Sequence, residues 1–535
     1  MGSRILIPLL VLWVLQAFRQ ILVWTYWLQV KEYRFDRFEA LLTSRDGWRN
    51  LELRTTALKF ITLFVALFIG SYFWVILLFV YLNIRFSLDI AARAVRKPKF
   101  TLRAIEIVLT CLLGIALSVG ASFYTGIVAT NLIVGEILIL LCPVLGILWT
   151  SPLVERSRRK TIICARSMLA KVHPVVVAVT GSYGKSTTKE FAAHILGTSF
   201  VVAKTVGSQN TDFGVARAAA NLKNGTEIFV AEVGAYKRGE IKRVASFLKP
   251  KVAIVTGIEP QHLSLFGSLE NILKAKYELV EHLAEDGFAI FNFGNEYCRE
   301  MAGWAKKEGK KVYSYKVIKG KDEEKHDLTA RVLRASSNNV TFEITMGKST
   351  HELSAPIHGV HFVENLAGAI LAARKLGVSW DKIKLACSTI ASLDKTMTVV
   401  KSKGRAIIID DSYNATPNGF RAALIYLALF EDMRKIVVTS GVPELGNITK
   451  FVHANLGEQM SEIADKIILT NKDYEKNLRR GLGAKKSLLT VSTNVDELYR
   501  RVKYYLEQDA VILFEGRMPA KIVQLISKTK EENAK

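Results

Sequence analysis

Cysteine is scarce in this chain and never paired. The five cysteines stand at Cys111, Cys142, Cys164, Cys298 and Cys387. None forms a C-x-x-C, so neither a disulfide scaffold nor a cysteine zinc site is supported, and a reducing compartment fits. Acidic residues are also in short supply: 49 Asp and Glu stand against 73 Lys and Arg, for a formal net charge of +24. That excess suits nucleic acid, an anionic membrane surface or phosphorylated substrates. The interleaved aromatic and basic platform that would single out nucleic acid is missing, so nucleic acid is not an expected partner. Internal repeats and low-complexity tracts are missing too.

What the chain has in abundance is apolar sequence. Half of its 535 residues are hydrophobic, and four runs, 5–27, 60–82, 104–126 and 128–149, are long enough for membrane spans. Three or four of them are expected to cross. A cleaved signal peptide does not explain runs that continue so far into the chain. The 83–103 loop (Arg85, Arg93, Arg96, Lys97, Lys99, Arg103) and the segment Arg156, Arg158, Arg159, Lys160 are basic and should face the cytoplasm. This places everything after residue 150 there, in a multi-pass protein of the cell membrane. The 28–57 loop is equally basic, yet strict alternation of four spans puts it outside. Either the first run lies in the interface or re-enters, or the charge rule fails for this loop.

Near residue 170 the pattern changes to strand-like runs alternating with helical ones, which predicts an α/β fold with a largely parallel sheet. A nucleotide domain is expected over 165–395 and a second α/β domain over 396–535, after a membrane region of 1–150. Short strands within 309–354 predict an antiparallel flap on the first of these domains.

The stretch VVVAVTGSYGKSTTKE, 175–190, organises the first domain. A β-branched run breaks at Gly181 and Gly184, and a helix can begin at Lys185. Such a strand–loop–helix cradles phosphate on backbone N–H groups and a helix N-terminus. Thr180, Gly181, Ser182, Gly184, Lys185, Ser186 and Thr187 are the candidate ATP-binding residues. Lys185 would reach the distal phosphates and Ser186 would hold Mg²⁺. The spacing is a shortened variant, with Val179 where the usual loop has another glycine.

Four stretches follow at the ends of predicted strands, where open α/β sheets place ligand groups. GSQNTDFG at 207–214 is a polar, glycine-bounded loop. Glu232 closes the strand IFVA and is a candidate Mg²⁺ ligand, or else a salt-bridge partner of Lys185. GIEPQHLSLFG at 257–267 carries His262, and Lys276 lies on the helix after Ser268. In the last domain IIIDDSYNATPNG, 407–419, gathers Asp410, Asp411 and Asn414 at a strand end, and Pro417 is expected to stop any immediate helix.

Taken together, these stretches resemble the ATP-dependent Mur ligase family. The pieces are collinear from about 173 to 518: TGSYGKSTTK (180–189), SQNTDFG (208–214), AEVGAYKRGEI (231–241), TGIEPQHLSLFGSLENILKAKYEL (256–279), HGVHFVENLAGAILAA (358–373), DDSYNATPNGFRAAL (410–424) and SGVPELG (440–446). The closest branch of the family joins a dipeptide to a UDP-linked muramoyl peptide. The resemblance implies amide ligation through an acyl phosphate, with ATP and Mg²⁺. It implies Ser186 and Glu232 on one Mg²⁺, His262 on a second, and Lys276 as a lysine that is carbamylated in several members. Lys185, His262 and Lys276 would then be the catalytic set. Asn292, His361, Asn365, Asp410 and Asn414 would line the nucleotide, and Asn210 and Thr211 would lie near the substrate.

Departures from the family pattern are informative. Ser186 replaces a common threonine, and Asp394–Lys395 stands where an arginine is usual. EGRMPA at 515–520 replaces a KGS-like segment, so Glu515 reverses a charge near the expected substrate. Membrane segments occupy the place of the small soluble domain that holds UDP. The acceptor is therefore a UDP-linked or a lipid-linked envelope precursor, and the donor an amino acid or dipeptide. A membrane-anchored poly-glutamate-like synthase is the nearest alternative. A transport or assembly ATPase would not explain DDSYNATP or HFVEN.

Overall fold

The structure is a computed structural model. It describes all residues except 1–2, 43–46, 49–50, 92–94, 208, 261–262, 319, 321–323, 391–395, 403, 413–414, 444 and 535. The chain divides into two compact units, Met1–Lys160 and Thr161–Lys535.

In the first unit the helices are Ser3–Val30, Phe35–Leu42, Leu53–Ile69, Phe73–Ala91, Leu102–Thr125 and the beginning of Val128–Val172. Four helical stretches are long and apolar enough to cross a membrane: Leu6–Val30, Phe73–Ala91, Leu102–Thr125 and Val128–Val172. The expectation of one span over 60–82 is corrected. The helix stops at Ile69, where Gly70 takes φ 69° and returns its N–H to the Ala66 carbonyl, and a new helix starts at Phe73. Glycine at the residue after a helix supplies the left-handed conformation that ends it. Hydropathy misses the turn because the apolar run continues through it.

That turn makes Leu53–Ile69 and Phe73–Ala91 an antiparallel hairpin. Arg19 donates to Glu52, before the first of these helices, at 2.7 Å and to Asp89, near the end of the second, at 2.9 Å. Gln29 at the end of the first helix exchanges hydrogen bonds with the backbone of Lys99 (2.8 and 2.7 Å). Arg103 reaches Thr150 at 3.1 Å and Ser151 at 3.3 Å. These contacts bring Glu52, Asp89, Lys99 and Thr150 to one end of the bundle.

A polar cluster sits inside this apolar bundle. Lys59 lies 3.2 Å from Glu136 and donates to Gln20 at 2.8 Å, while the Trp13 indole donates to Glu136 at 2.9 Å. Each charge is paired and hydrogen-bonded, the condition under which buried ions are tolerated. Removing one partner of such a pair typically costs about 3–5 kcal/mol.

The second unit is built on two sheets. β1 (Val175–Thr180), β2 (Val202–Lys204), β3 (Ile228–Glu232), β4 (Val252–Val255), β5 (Phe288–Asn292), β6 (Lys311–Ile318), β7 (Leu328–Ala335), β8 (Val340–Met346) and β9 (Ser349–Ala355) form a nine-stranded sheet ordered β2-β3-β1-β4-β5-β6-β7-β8-β9. Pairing is parallel as far as β7 and antiparallel from β7 to β9, so the flap continues the sheet. β1 is central and buried on both faces, as a run of five valines and alanines within VVVAVT requires. The helix Lys185–Leu196 covers one face and Phe362–Lys375 packs on it, through an edge-to-face contact of Phe191 with Phe362 at 6.2 Å.

β10 (Thr398–Lys401), β11 (Ile407–Asp411), β12 (Arg434–Thr439), β13 (Lys466–Leu469), β14 (Leu489–Val491) and β15 (Ala510–Glu515) form a six-stranded sheet ordered β10-β11-β15-β12-β13-β14. Only β10 runs antiparallel to its neighbour. Pro417 does not stop a helix here; it begins one. Thr416 accepts from the Gly419 N–H as N-cap, and Pro417 fills the first position of Pro417–Leu427, where its missing N–H is no loss.

Candidate phosphate and metal site

The loop between β1 and its helix needs both glycines. Gly181 has φ 152° and Gly184 φ 72°, a region that costs other residues dearly. A Cβ on Gly181 would strike the Thr256 hydroxyl, and one on Gly184 the Asn365 amide oxygen. Beneath the loop, Ser182 donates its N–H to Gly257 (2.7 Å) and its hydroxyl to the Glu259 carbonyl (3.1 Å). Thr180 is committed to the Val233 carbonyl at 2.9 Å, and Thr187 is buried. Ser186, half-buried, opens the helix. Lys185 folds back to donate to the Ser182 carbonyl at 2.9 Å. Burial lowers its pKa, against the attraction of Glu232 and Glu259.

Glu232 ends β3 beside the loop. Its Oε1 accepts from Asn210 at 2.9 Å, whereas its buried Oε2 has no hydrogen-bond partner. The expected salt bridge to Lys185 is replaced by Lys189, 3.6 Å away. That lysine is fully buried and donates to the Thr205 and Gly207 carbonyls at 3.0 and 2.6 Å. Thr211 spends its hydroxyl capping the next helix at the Gly214 N–H.

Lys276 lies on Leu269–Glu281, a helix capped by Ser268. With Ser182, Lys185, Asn210, Gly234 and Phe266 it lines a cavity of about 50 Å³. Its pKa is lowered to about 7, first by burial and then by Lys185. Two lysines thus converge on one small polar cavity, whose anionic ligand would relieve both.

The other predicted residues fall around this centre. Asn292 is fully buried and spans the Thr256 carbonyl (2.8 Å) and the Gly294 N–H (2.9 Å). Asn365 accepts from Thr188 at 3.1 Å. The His361 ring lies against Phe362, with centroids 4.1 Å apart and planes tilted by 39°; burial lowers its pKa to about 4, and its Nδ1 has no hydrogen-bond partner. In the C-terminal sheet, Asp410 accepts from Ser412 at 2.6 Å and Lys530 at 2.7 Å. Asp411 and Glu515 are register partners on β11 and β15. Burial lifts Asp411 to about 7 and, with Asp411 beside it, holds Glu515 well above the carboxylate range. This pair therefore keeps a proton at neutral pH. Glu515 is wholly buried and lines no part of the Lys276 cavity. His262 and Asn414 lie outside the described residues, as do Asp394 and Lys395.

Sequence reading missed Lys189, Glu364 and Glu259. Lys189 and Glu364 stand one turn into helices, where only their burial marks them out. Glu364 is buried and its pKa raised by that burial. Glu259 stood in a quoted stretch, but its partner Asn418 is 159 positions away.

The parallel sheet, the glycine loop and Lys185 at the start of its helix have the arrangement of the phosphate loops of nucleotide-dependent α/β proteins. Residues 179–373 match the Mur ligase middle domain and residues 397–518 the Mur ligase, glutamate ligase domain. The UDP-N-acetylmuramoyl-tripeptide–D-alanyl-D-alanine ligase of Escherichia coli is 30% identical over 53% of this chain, a stretch covering 61% of that enzyme. The ligase of the same name from Haemophilus influenzae is 26% identical over 69% of this chain and 79% of its own length. Crystal structure I of MurF from Acinetobacter baumannii superposes with a TM-score of 0.62 at 25% identity, covering 70% of this chain and 80% of that one. The chain belongs to the Mur ligase family, whose members are ATP-dependent ligases that form amide bonds.

Proposed function

We propose that this protein is a membrane-anchored, ATP-dependent ligase that joins an amino acid or dipeptide to a peptide carboxylate on an envelope or cell-wall precursor. The observation that carries this reading is the cavity joining Lys185, Asn210 and Lys276 beside Glu232, whose buried Oε2 accepts no hydrogen bond and faces the Lys189 ammonium at 3.6 Å. The substrate carboxylate attacks the γ-phosphate of ATP to give an acyl phosphate and ADP. The amine then adds to the acyl carbon, and the tetrahedral intermediate expels phosphate. Both partners of the first step are anionic, so cations must offset their repulsion. Lys185 and the loop N–H groups are placed to hold the β- and γ-phosphates, with Thr180, Gly181, Ser182, Gly184, Ser186 and Thr187 forming the cradle. Asn292, His361, Asn365, Asp410 and Asn414 are assigned to the nucleotide, Asn210, Thr211 and Glu515 to substrate recognition.

The residues present fit Mg²⁺. A buried carboxylate oxygen without a hydrogen bond suits a hard cation; Ser186 would share one Mg²⁺ with Glu232, His262 would serve a second, and a carbamylated Lys276 would add a further carboxylate. Mg²⁺, when bound, neutralises phosphate charge. Among the described residues no three His, Cys, Asp or Glu converge on one point, which suits a metal whose remaining ligands are phosphate oxygens. We assign the membrane region to 1–150, the nucleotide domain to 165–395 and the C-terminal domain to 396–535.

Counting the shorter helix Leu53–Ile69, 17 residues long, as a span beside the four longer ones gives a five-pass topology. All three basic stretches then share the end from which Val128–Val172 continues, and the positive-inside rule puts that end in the cytoplasm, where ATP is available. Single cysteines at Ser71 and Gly126 should react with an impermeant maleimide on intact cells, and one at Lys99 only after permeabilisation. Labelling of Lys31→Cys from outside would remove this topology. A membrane-embedded N-terminal region favours a lipid-linked acceptor. ADP release by detergent-solubilised full-length protein tests the function against two sets: UDP-muramoyl peptide with D-alanyl-D-alanine, and membrane lipid extract with mixed amino acids. Turnover with the lipid extract is the expected result. Failure of both sets would overturn the ligase reading.

A further inference from the structure

Glu259 has no place in the roles assigned above, yet it touches both soluble domains. Its carbonyl receives the Ser182 hydroxyl at 3.1 Å, which ties its backbone to the phosphate loop. Its side chain crosses to the C-terminal domain, where Oε1 accepts from the Asn418 amide. Asn418 is the second residue of Pro417–Leu427, held in place by the Thr416 cap. Oε2 is buried and has no hydrogen-bond partner. The charged groups facing this carboxyl are Arg421 from the same C-terminal helix, Glu364 from Phe362–Lys375, and Lys185 from the phosphate-loop helix.

We infer that Glu259 is a positioning residue that couples occupation of the phosphate loop to closure of the C-terminal domain over it. The inference rests on the proposed ATP site. In the structure the carboxyl reaches Asn418 while Lys185 attracts it from the loop side. A polyphosphate takes over the Lys185 charge and adds negative charge of its own, so the carboxylate is driven toward Asn418 and Arg421. The interdomain contact is then strongest when the acyl phosphate must be shielded from water, and it loosens when phosphate and ADP leave. A carboxyl raised to about 7, chiefly by burial, is also poised to take up a proton as phosphate arrives.

The test uses full-length protein and the variants Glu259→Ala, Asn418→Ala, both together, and Glu259→Gln. Each single alanine variant should lower kcat tenfold or more while the KM for ATP stays within twofold. The double variant should be no worse than either single one, because both remove the same contact. Glu259→Gln keeps the reach of the side chain to Asn418 but removes the charge that the polyphosphate pushes against, so it should lower kcat nearly as far as Glu259→Ala. Additive losses, or a raised KM with unchanged kcat, would overturn the coupling. Hydrogen exchange across 417–427 gives a readout without turnover: Mg-ATP should slow it in the wild type and leave Glu259→Ala unchanged. Nucleotide binding without added protection would sink the coupling alone, whereas no nucleotide binding at all would sink the ATP site beneath it.

Discussion

Replacing Lys185 with alanine is expected to cut ATP-dependent turnover by about a thousandfold, a loss typical of removing a preorganised charge from a dry site. The same change should leave the protein folded and in the membrane. The two expectations have one physical cause. Lys185 is desolvated strongly enough that its pKa falls despite the nearby carboxylates of Glu232 and Glu259, so its charge is a net cost to the empty protein. That cost is recovered when phosphate oxygens meet the ammonium. Deleting the side chain removes a function without removing a stabilising contact, since its one hydrogen bond is to the Ser182 carbonyl beside it. The unfolding midpoint should therefore be unchanged or slightly raised. Lys185→Arg should not restore activity, because a planar fork does not replace a point charge in so tight a loop. ADP release beside a thermal melt decides the matter. Turnover above a tenth of wild type would take the ATP site away from this loop.

How far the sequence could be read depended on whether a feature's partners are near it in the chain. The phosphate loop was legible because strand, glycines and lysine are contiguous, and β1 and Lys185–Leu196 lie where the pattern put them. The antiparallel flap was visible in the alternation within 309–354, though not its continuity with the parallel sheet, since register between β6 and β7 is set by pairing alone. Gly70 was overlooked for the opposite reason. A single glycine inside an apolar run carries no hydropathy signal, and its positive φ belongs to the fold. Pro417 was misread because a proline that ends one helix and a proline that starts another look alike until the Thr416 cap is seen. The pairing of Glu232 with Lys189, four residues beyond Lys185 on one helix, is not legible because it depends on the Lys189 side chain pointing back toward β2. The burial of Glu515 against Asp411 was not legible, because the two carboxyls are distant in the chain and meet only through the register of β11 with β15.

Lys276 carries the second large effect. Its pKa of about 7, set by burial and then by Lys185, means that near pH 8 most molecules present a neutral amine to the cavity of about 50 Å³. A neutral amine adds carbon dioxide, forming an N–C bond and releasing a proton, and the product is a carbamate anion. Lys185 would then face an anion, which replaces the repulsion that helps to lower the Lys276 pKa with an attraction. Lys276→Ala should accordingly lose about a hundredfold in turnover, with partial recovery in added acetate. In wild type, ¹³C-bicarbonate should give a carbamate signal that the variant lacks. Stability offers an independent check. A lysine whose folded pKa is depressed leaves the unfolded chain with the extra proton between about pH 7 and its ordinary value of 10.5. In CO₂-free buffer, the Lys276 contribution to stability should therefore rise with pH across that window and stay flat below it. Lys276→Met should remove that share of the pH dependence relative to wild type. A variant that keeps a third or more of wild-type activity, with no carbamate signal in the parent, would reduce Lys276 to a buried structural lysine.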